Sequence, residues 1–197
     1  LNVRRLEWLS RVHLLAMRDA TLENPRLRPV AAEGVFADIF ELHDTIVLQM
    51  REHVRRLSEE PTIEKAKELN QFWKEVIQPH AKAEDRTVWD LAREQDDPGL
   101  AQSADLLEEE HGRIDEMIAH YEQTIEKVES GEGDIAELVP LARSIWQRTE
   151  LHFGKEEESV YRPLQEQVSA DEFRPAIAEQ NEAVGNWLRE HGWEMTE

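Results

Sequence analysis

The chain has 197 residues, of which 43 are acidic and 23 basic, and it contains no cysteine. The length suits one domain with a sizeable core, and a hydrophobic content of 40% argues against wholesale disorder. A formal charge of −20 repels phosphates, which disfavours nucleic acid and anionic lipid as partners. The missing cysteines exclude disulfides, thiolate catalysis, zinc fingers and iron–sulfur ligation.

The opening residues, Leu1-Asn2-Val3-Arg4-Arg5, lack the apolar core and cleavage site of a secretory signal. Apolar stretches run only a few residues, so no transmembrane span and no membrane partner are expected, and the cytoplasm is the expected compartment. Period-2 alternation is missing and good helix formers dominate, which predicts an all-α chain. The first helix falls at about 3–20, where Trp8, Val12 and Leu15 form an apolar stripe. After Asn24-Pro25 and Pro29 come four long amphipathic helices, at about 33–58, 61–95, 99–130 and 134–168. A last helix at about 171–191 carries Phe173, Ile177, Val184, Trp187 and Leu188 on one face. Asp97-Pro98, Asp134 with Glu137, and Ser169 with Glu172 read as helix starts. Short connections make the long helices antiparallel neighbours. The expected architecture is an up-down-up-down four-helix bundle over 30–168, with an N-terminal helix and linker at 1–29 and a C-terminal helix at 169–197. The terminal stripes can dock across the bundle or form a homodimer interface.

The stripes have polar gaps. Helical phase places His43, His80, Glu84, His111, His152 and Glu156 on the buried faces of the four long helices. Counted from the connections at residues 60 and 132, all six lie 17 to 24 residues up the bundle, a spread of roughly 10 Å at 1.5 Å per residue. A carboxylate buried without a partner is costly or takes up a proton. No Lys or Arg occupies the inner positions at this level, so a metal is the natural counter-charge. Without metal, Glu84 and Glu156 are expected to take up protons or admit water. The chain also repeats: His80-Ala81-Lys82-Ala83-Glu84 parallels His152-Phe153-Gly154-Lys155-Glu156, and His43 with Ile46 parallels His111 with Ile114. Two hairpins that each offer one lone His and one His/Glu pair describe a two-metal site better than a one-metal site. Imidazole and carboxylate without sulfur suit iron, manganese or zinc. Two carboxylates spanning two cations, with few protein donors left over, favour a redox-active di-iron centre with an open position.

Outside candidates are His13, His53 and Asp115. His120 lies half a turn from His111 and is expected to face solvent. Tyr121 reads as core filling, and Pro79 should kink its helix one residue before His80. The runs Glu108-Glu109-Glu110 and Glu156-Glu157-Glu158 read as solvated faces apart from Glu156.

These residues resemble the hemerythrin-like family of His/His/Glu cation-binding domains over about residues 33–168. The closest local likeness is His152-Phe-Gly-Lys-Glu156-Glu157 followed by Val160 and Pro163, with His80 to Asp85 as an earlier copy and Glu110-His111 as the third-helix element. The resemblance implies two non-haem iron ions bridged by oxo or hydroxo and by Glu84 and Glu156, with the four histidines as terminal ligands. Zinc or manganese is the lesser expectation. It also implies a small diatomic or peroxide as the bound partner. Oxygen carriers of the family have a fifth histidine four residues before the one matching His111, where this chain has Leu107. The doubled His-x3-Glu pattern looks more like bacterial iron-repair and nitric-oxide-response proteins. The functions implied are binding or reduction of O2, NO or peroxide, iron donation in stress or repair, or a metal-stabilised regulatory or interaction module.

Overall fold

The structure is a computed structural model that describes residues 35–190, with side chains over 36–185 and at 187. The expected N-terminal helix, with His13, and the side chain of Leu188 lie outside the described residues.

The first bundle helix is α1 (Val35–Glu59). The second runs without interruption through α2 (Ile63–Phe72), a π-helical turn (Trp73–Ile77) and α3 (Gln78–Arg93). The third is α4 (Pro98–Ser130). The fourth opens with a 3₁₀ turn (Ile135–Glu137) and continues through α5 (Leu138–Glu156), a second π-helical turn (Glu157–Tyr161) and α6 (Arg162–Gln167). The last element is α7 (Ala170–Glu190). The expected helices are all present over the described residues, with ends shifted by one or two positions.

Local chemistry sets those ends. Asp97 accepts hydrogen bonds from the Gly99 and Leu100 amides at 2.9 and 3.2 Å, and Pro98 follows it in the first turn. Asp134 and Glu137 form a reciprocal capping box, and Ser169 and Glu172 form another. Thr62 caps α2 through the Lys65 amide, so this helix starts after Pro61 rather than at it. Gly131 ends α4 at φ 79°, a left-handed geometry that glycine adopts without strain.

The second and third helices pack side by side, as do the third and fourth. The fourth lies against α1, and α1 against α2, which closes the ring of four. α7 lies across α3 and α1, so its apolar stripe is used within the chain. Inside the ring are two apolar clusters. One, toward the connections at 60 and 132, includes Met50, Leu57, Phe72, Trp73, Tyr121 and Ile145. The other, toward the opposite end, includes Phe36, Phe40, Trp89, Leu107, Tyr161 and Phe173. Each large side chain buried here contributes about 1.5–3 kcal/mol relative to exposure. The polar gaps fall between the two clusters.

Both π-helical turns have an identifiable cause. Proline lacks an amide hydrogen, and its ring collides with the carbonyl four residues earlier in an α-helix. Pro79 and Pro163 each stand two residues beyond a π turn. In both places the preceding amide reaches back five residues, Gln78 to the Trp73 carbonyl and Arg162 to the Glu157 carbonyl. The expected kink at Pro79 is therefore a widened turn, and the helix continues through it to His80.

Candidate metal centre

The structure brings His43, His80, Glu84, His111, His152 and Glu156 together in the layer between the apolar clusters. His43 comes from α1, His80 and Glu84 from α3, His111 from α4, and His152 and Glu156 from α5. All six are buried, both glutamates completely. Their atoms form two groups, His43/His80/Glu84 and His111/His152/Glu156, in each of which nitrogen and oxygen donors lie within 4.8 Å of one another. The groups are shared rather than separate. Glu84 lies 3.5 Å from His80 Nε2, 3.7 Å from His43 Nε2 and 3.5 Å from His111 Nε2. Glu156 lies 2.7 Å from His152 Nε2, 3.3 Å from His111 Nε2 and 3.7 Å from His43 Nε2. Each carboxylate thus faces imidazoles of both groups.

The outer ring nitrogens show a pattern that the sequence did not reveal. His43 Nδ1 donates to Glu157 at 3.0 Å, His111 Nδ1 to Asp85 at 2.7 Å, and His152 Nδ1 to Glu110 at 3.1 Å. A carboxylate on Nδ1–H keeps that proton on Nδ1, so the nitrogen left to bind a metal is the inward Nε2, and it raises the basicity of that nitrogen. His80 differs: its Nδ1 is buried and finds no partner among the described residues. Glu84 also differs from Glu156, because the Tyr161 hydroxyl donates to Glu84 Oε1 at 2.5 Å. The Tyr161 oxygen in turn accepts from the buried Gln180 side chain of α7 at 3.1 Å.

Two acidic runs therefore need correction. Glu157 was expected on a solvated face, yet it is buried with 3% of its surface exposed. The π turn that begins at Glu157 supplies the reason: its extra residue lets consecutive side chains, Glu156 and Glu157, both face inward. Pro163, at the same offset from its turn as Pro79, was the available signal. Glu110 is half-buried rather than solvated, held between His152 and the Lys155 ammonium at 2.5 Å.

The electrostatics of the cluster correct a further expectation. Burial and the facing Glu156 push Glu84 up, but the imidazoles of His80, His111 and His43 outweigh them and hold it at about 2. Burial likewise opposes ionisation of Glu156, and His152, His111 and His43 outweigh it, so its pKa lies well below the ordinary range. The protons sit on imidazole instead. Burial lowers His43, yet Glu157 and Glu84 raise it to about 9. Burial lowers His111, yet Asp85, Glu156 and Glu84 raise it to about 12. His80 is pushed down to about 4 by burial and stays neutral. The expected protonated carboxylates are replaced by two imidazolium ions, which act as the counter-charge in the metal-free chain. Cationic metal in their place satisfies the same need. The Oε2 atoms of Glu84 and Glu156 are buried and accept no hydrogen bond among the described residues, and His152 Nε2 approaches Glu156 without hydrogen-bond alignment. These nitrogen and oxygen donors fit a transition-metal cation.

Beside the cluster is a cavity of about 10 Å³, room for one water-sized molecule. It is lined by His80, His111 and His152 on one side and by Ile77, Ile114 and Phe153 among its apolar walls. Asp115 is not in the metal-type cluster; it lines this cavity and accepts from the Gln78 amide nitrogen at 2.8 Å. His53 lies against Phe72, with ring centroids 5.3 Å apart and away from the cluster, and His120 is exposed. Tyr121 is core, edge-on to Trp73 at 4.9 Å.

No curated protein and no solved structure gives a significant match to the chain. The family model described as Hemerythrin HHE cation binding domain does match, at residues 35–164 and again at 102–191. With most of its length matched and two His/His/Glu groups in one core layer, the chain belongs to the hemerythrin HHE cation-binding domain family.

Proposed function

We propose that the chain is a cytoplasmic non-haem di-iron protein that binds or reduces O2, NO or peroxide. One observation carries the reading: two buried His/His/Glu groups meet in one layer, and each carboxylate reaches imidazoles of both. In this reading His43 and His80 would hold one iron and His111 and His152 the other, with Glu84 and Glu156 as the carboxylate donors. Iron held there would supply the binding of a small ligand and the electrons exchanged with it. The chain's residues do the rest. Glu157, Asp85 and Glu110 keep three imidazoles in the tautomer that presents Nε2. The apolar clusters exclude bulk water from both ends of the layer. The cavity beside His80, His111 and His152 limits the ligand to the size of a water or a diatomic molecule. Tyr161 holds Glu84 in place by donating a hydrogen bond from its hydroxyl.

Iron donation is the second reading. It is favoured by the unpartnered Nδ1 of His80, which leaves one His/His/Glu group less supported than the other. The test is an optical spectrum of protein loaded with iron under air, before and after azide, NO or peroxide. New near-ultraviolet and visible bands that shift with these ligands are expected. A colourless protein that takes up zinc and ignores the ligands would contradict the proposal.

A further inference from the structure

We infer that the two halves of the centre are unequal, with the His43/His80/Glu84 half holding its ion more weakly, loading last and releasing first. The inference rests on the di-iron reading above and deepens it. Two independent contacts carry it. In the His111/His152/Glu156 half, both imidazoles have a carboxylate on Nδ1, Asp85 at 2.7 Å and Glu110 at 3.1 Å. In the other half only His43 has one, Glu157 at 3.0 Å, while the His80 Nδ1 is buried with no partner among the described residues. An outer carboxylate raises imidazole basicity and fixes ring orientation, and losing one such partner typically weakens metal affinity 10–100-fold. A buried N–H left without an acceptor is also poorly held, so the His80 ring has less to keep it in place.

The second contact acts on the carboxylate. Tyr161 donates to Glu84 Oε1 and is itself braced by Gln180 from α7, whereas among the described residues no hydroxyl donates to Glu156. A hydrogen bond into a carboxylate draws charge away from the oxygen that would face the metal. Oε1 is the Glu84 oxygen that faces His43 and His80, at 3.7 and 3.5 Å, whereas Oε2 faces His111, so both differences act on the same half.

Anaerobic titration of the metal-free full chain with ferrous ion, read by chelator competition, tests this without variants. Two dissociation constants at least tenfold apart are expected, and a chelator should strip iron in two phases of equal size. His80→Ala should keep the tighter constant, and His152→Ala should keep only the weaker; either variant alone assigns the halves. Asp85→Asn combined with Glu110→Gln should weaken the tighter constant by tenfold or more. Two ions bound with constants less than tenfold apart, loss of the tighter constant in His80→Ala, or a tighter constant unmoved by the double variant would each overturn the inference while leaving the di-iron reading intact. A chain that binds one ion or none would overturn the di-iron reading itself.

Discussion

In the proposed centre, His43 and His111 are the residues at which acid–base chemistry would meet metal binding. Both hold a proton in the metal-free fold, at pKa values raised to about 9 and about 12 against an ordinary 6.5. A raised imidazole pKa adds stability that is fully present below pH 6.5 and lost as pH rises through the folded value. Glu84, held at about 2, and Glu156, held well below its ordinary range, are depressed, so their contribution is present above about pH 4.5 and lost as pH falls through the folded values. His80 is depressed to about 4, so its neutral form costs stability as pH falls below 6.5. The metal-free chain should therefore melt at its highest temperature near pH 6.5 and at falling temperatures toward both pH 4 and pH 10. At pH 7 metal must displace the protons on His43 and His111. Calorimetric titration in buffers of different ionisation enthalpy should report about two protons released per chain; release near zero would mean that both imidazoles are neutral before metal arrives. Glu84→Ala and Glu156→Ala should each abolish paired metal binding, and His120→Ala should leave it unchanged, as elemental analysis of the three variants would read. The six inward residues were legible because a 3.6-residue period assigns each a buried phase. Glu157, Asp85 and Glu110 were not, because each adjoins one of the six and an ideal helix turns it about 100° away, toward solvent. A contact to a neighbouring helix is what gives each of them its role.

At the level of the element, caps and turns fix where each helix starts and how its faces are phased. Asp97→Ala removes the acceptor for two amides and should cost about 1 kcal/mol in chemical denaturation. Phe173 ties α7 to the bundle. It is fully buried, stacks on Phe36 with centroids 4.2 Å apart, and meets Tyr161 edge-on at 5.9 Å. Phe173→Ala should cost about 3–5 kcal/mol, and an unfolding midpoint near that of the parent would mean that α7 contributes little. Helix number, order and boundaries could be read from capping pairs and apolar stripes, since both are local signals. The π turns could not, because a proline announces a departure from α geometry without saying whether the helix breaks, bends or widens. Pro79 and Pro163 both widen it.

At the scale of the described bundle, two apolar clusters hold the helices together on either side of a polar layer whose two donor groups could each take a metal ion. The metal-free chain should stay folded and helical, unlike a zinc finger, because the stripes outside the layer bury most of the core. Free metal at about 10²–10³ times the dissociation constant should add about 3–4 kcal/mol per ion by linkage. For a chain of this size that raises the melting temperature by well over ten degrees, and coincident calorimetric melts of the metal-free and loaded chains would show that the six residues form no site. A chain with a charge of −20 can also collect cations on its surface, so counting ions does not locate them. The direct test is anomalous diffraction at the iron absorption edge from crystals of the loaded protein. Two peaks are predicted in the core, one beside His43 and His80 and one beside His111 and His152, with Glu84 and Glu156 reaching both. A single peak, or peaks only among the surface carboxylates, would contradict a two-metal centre.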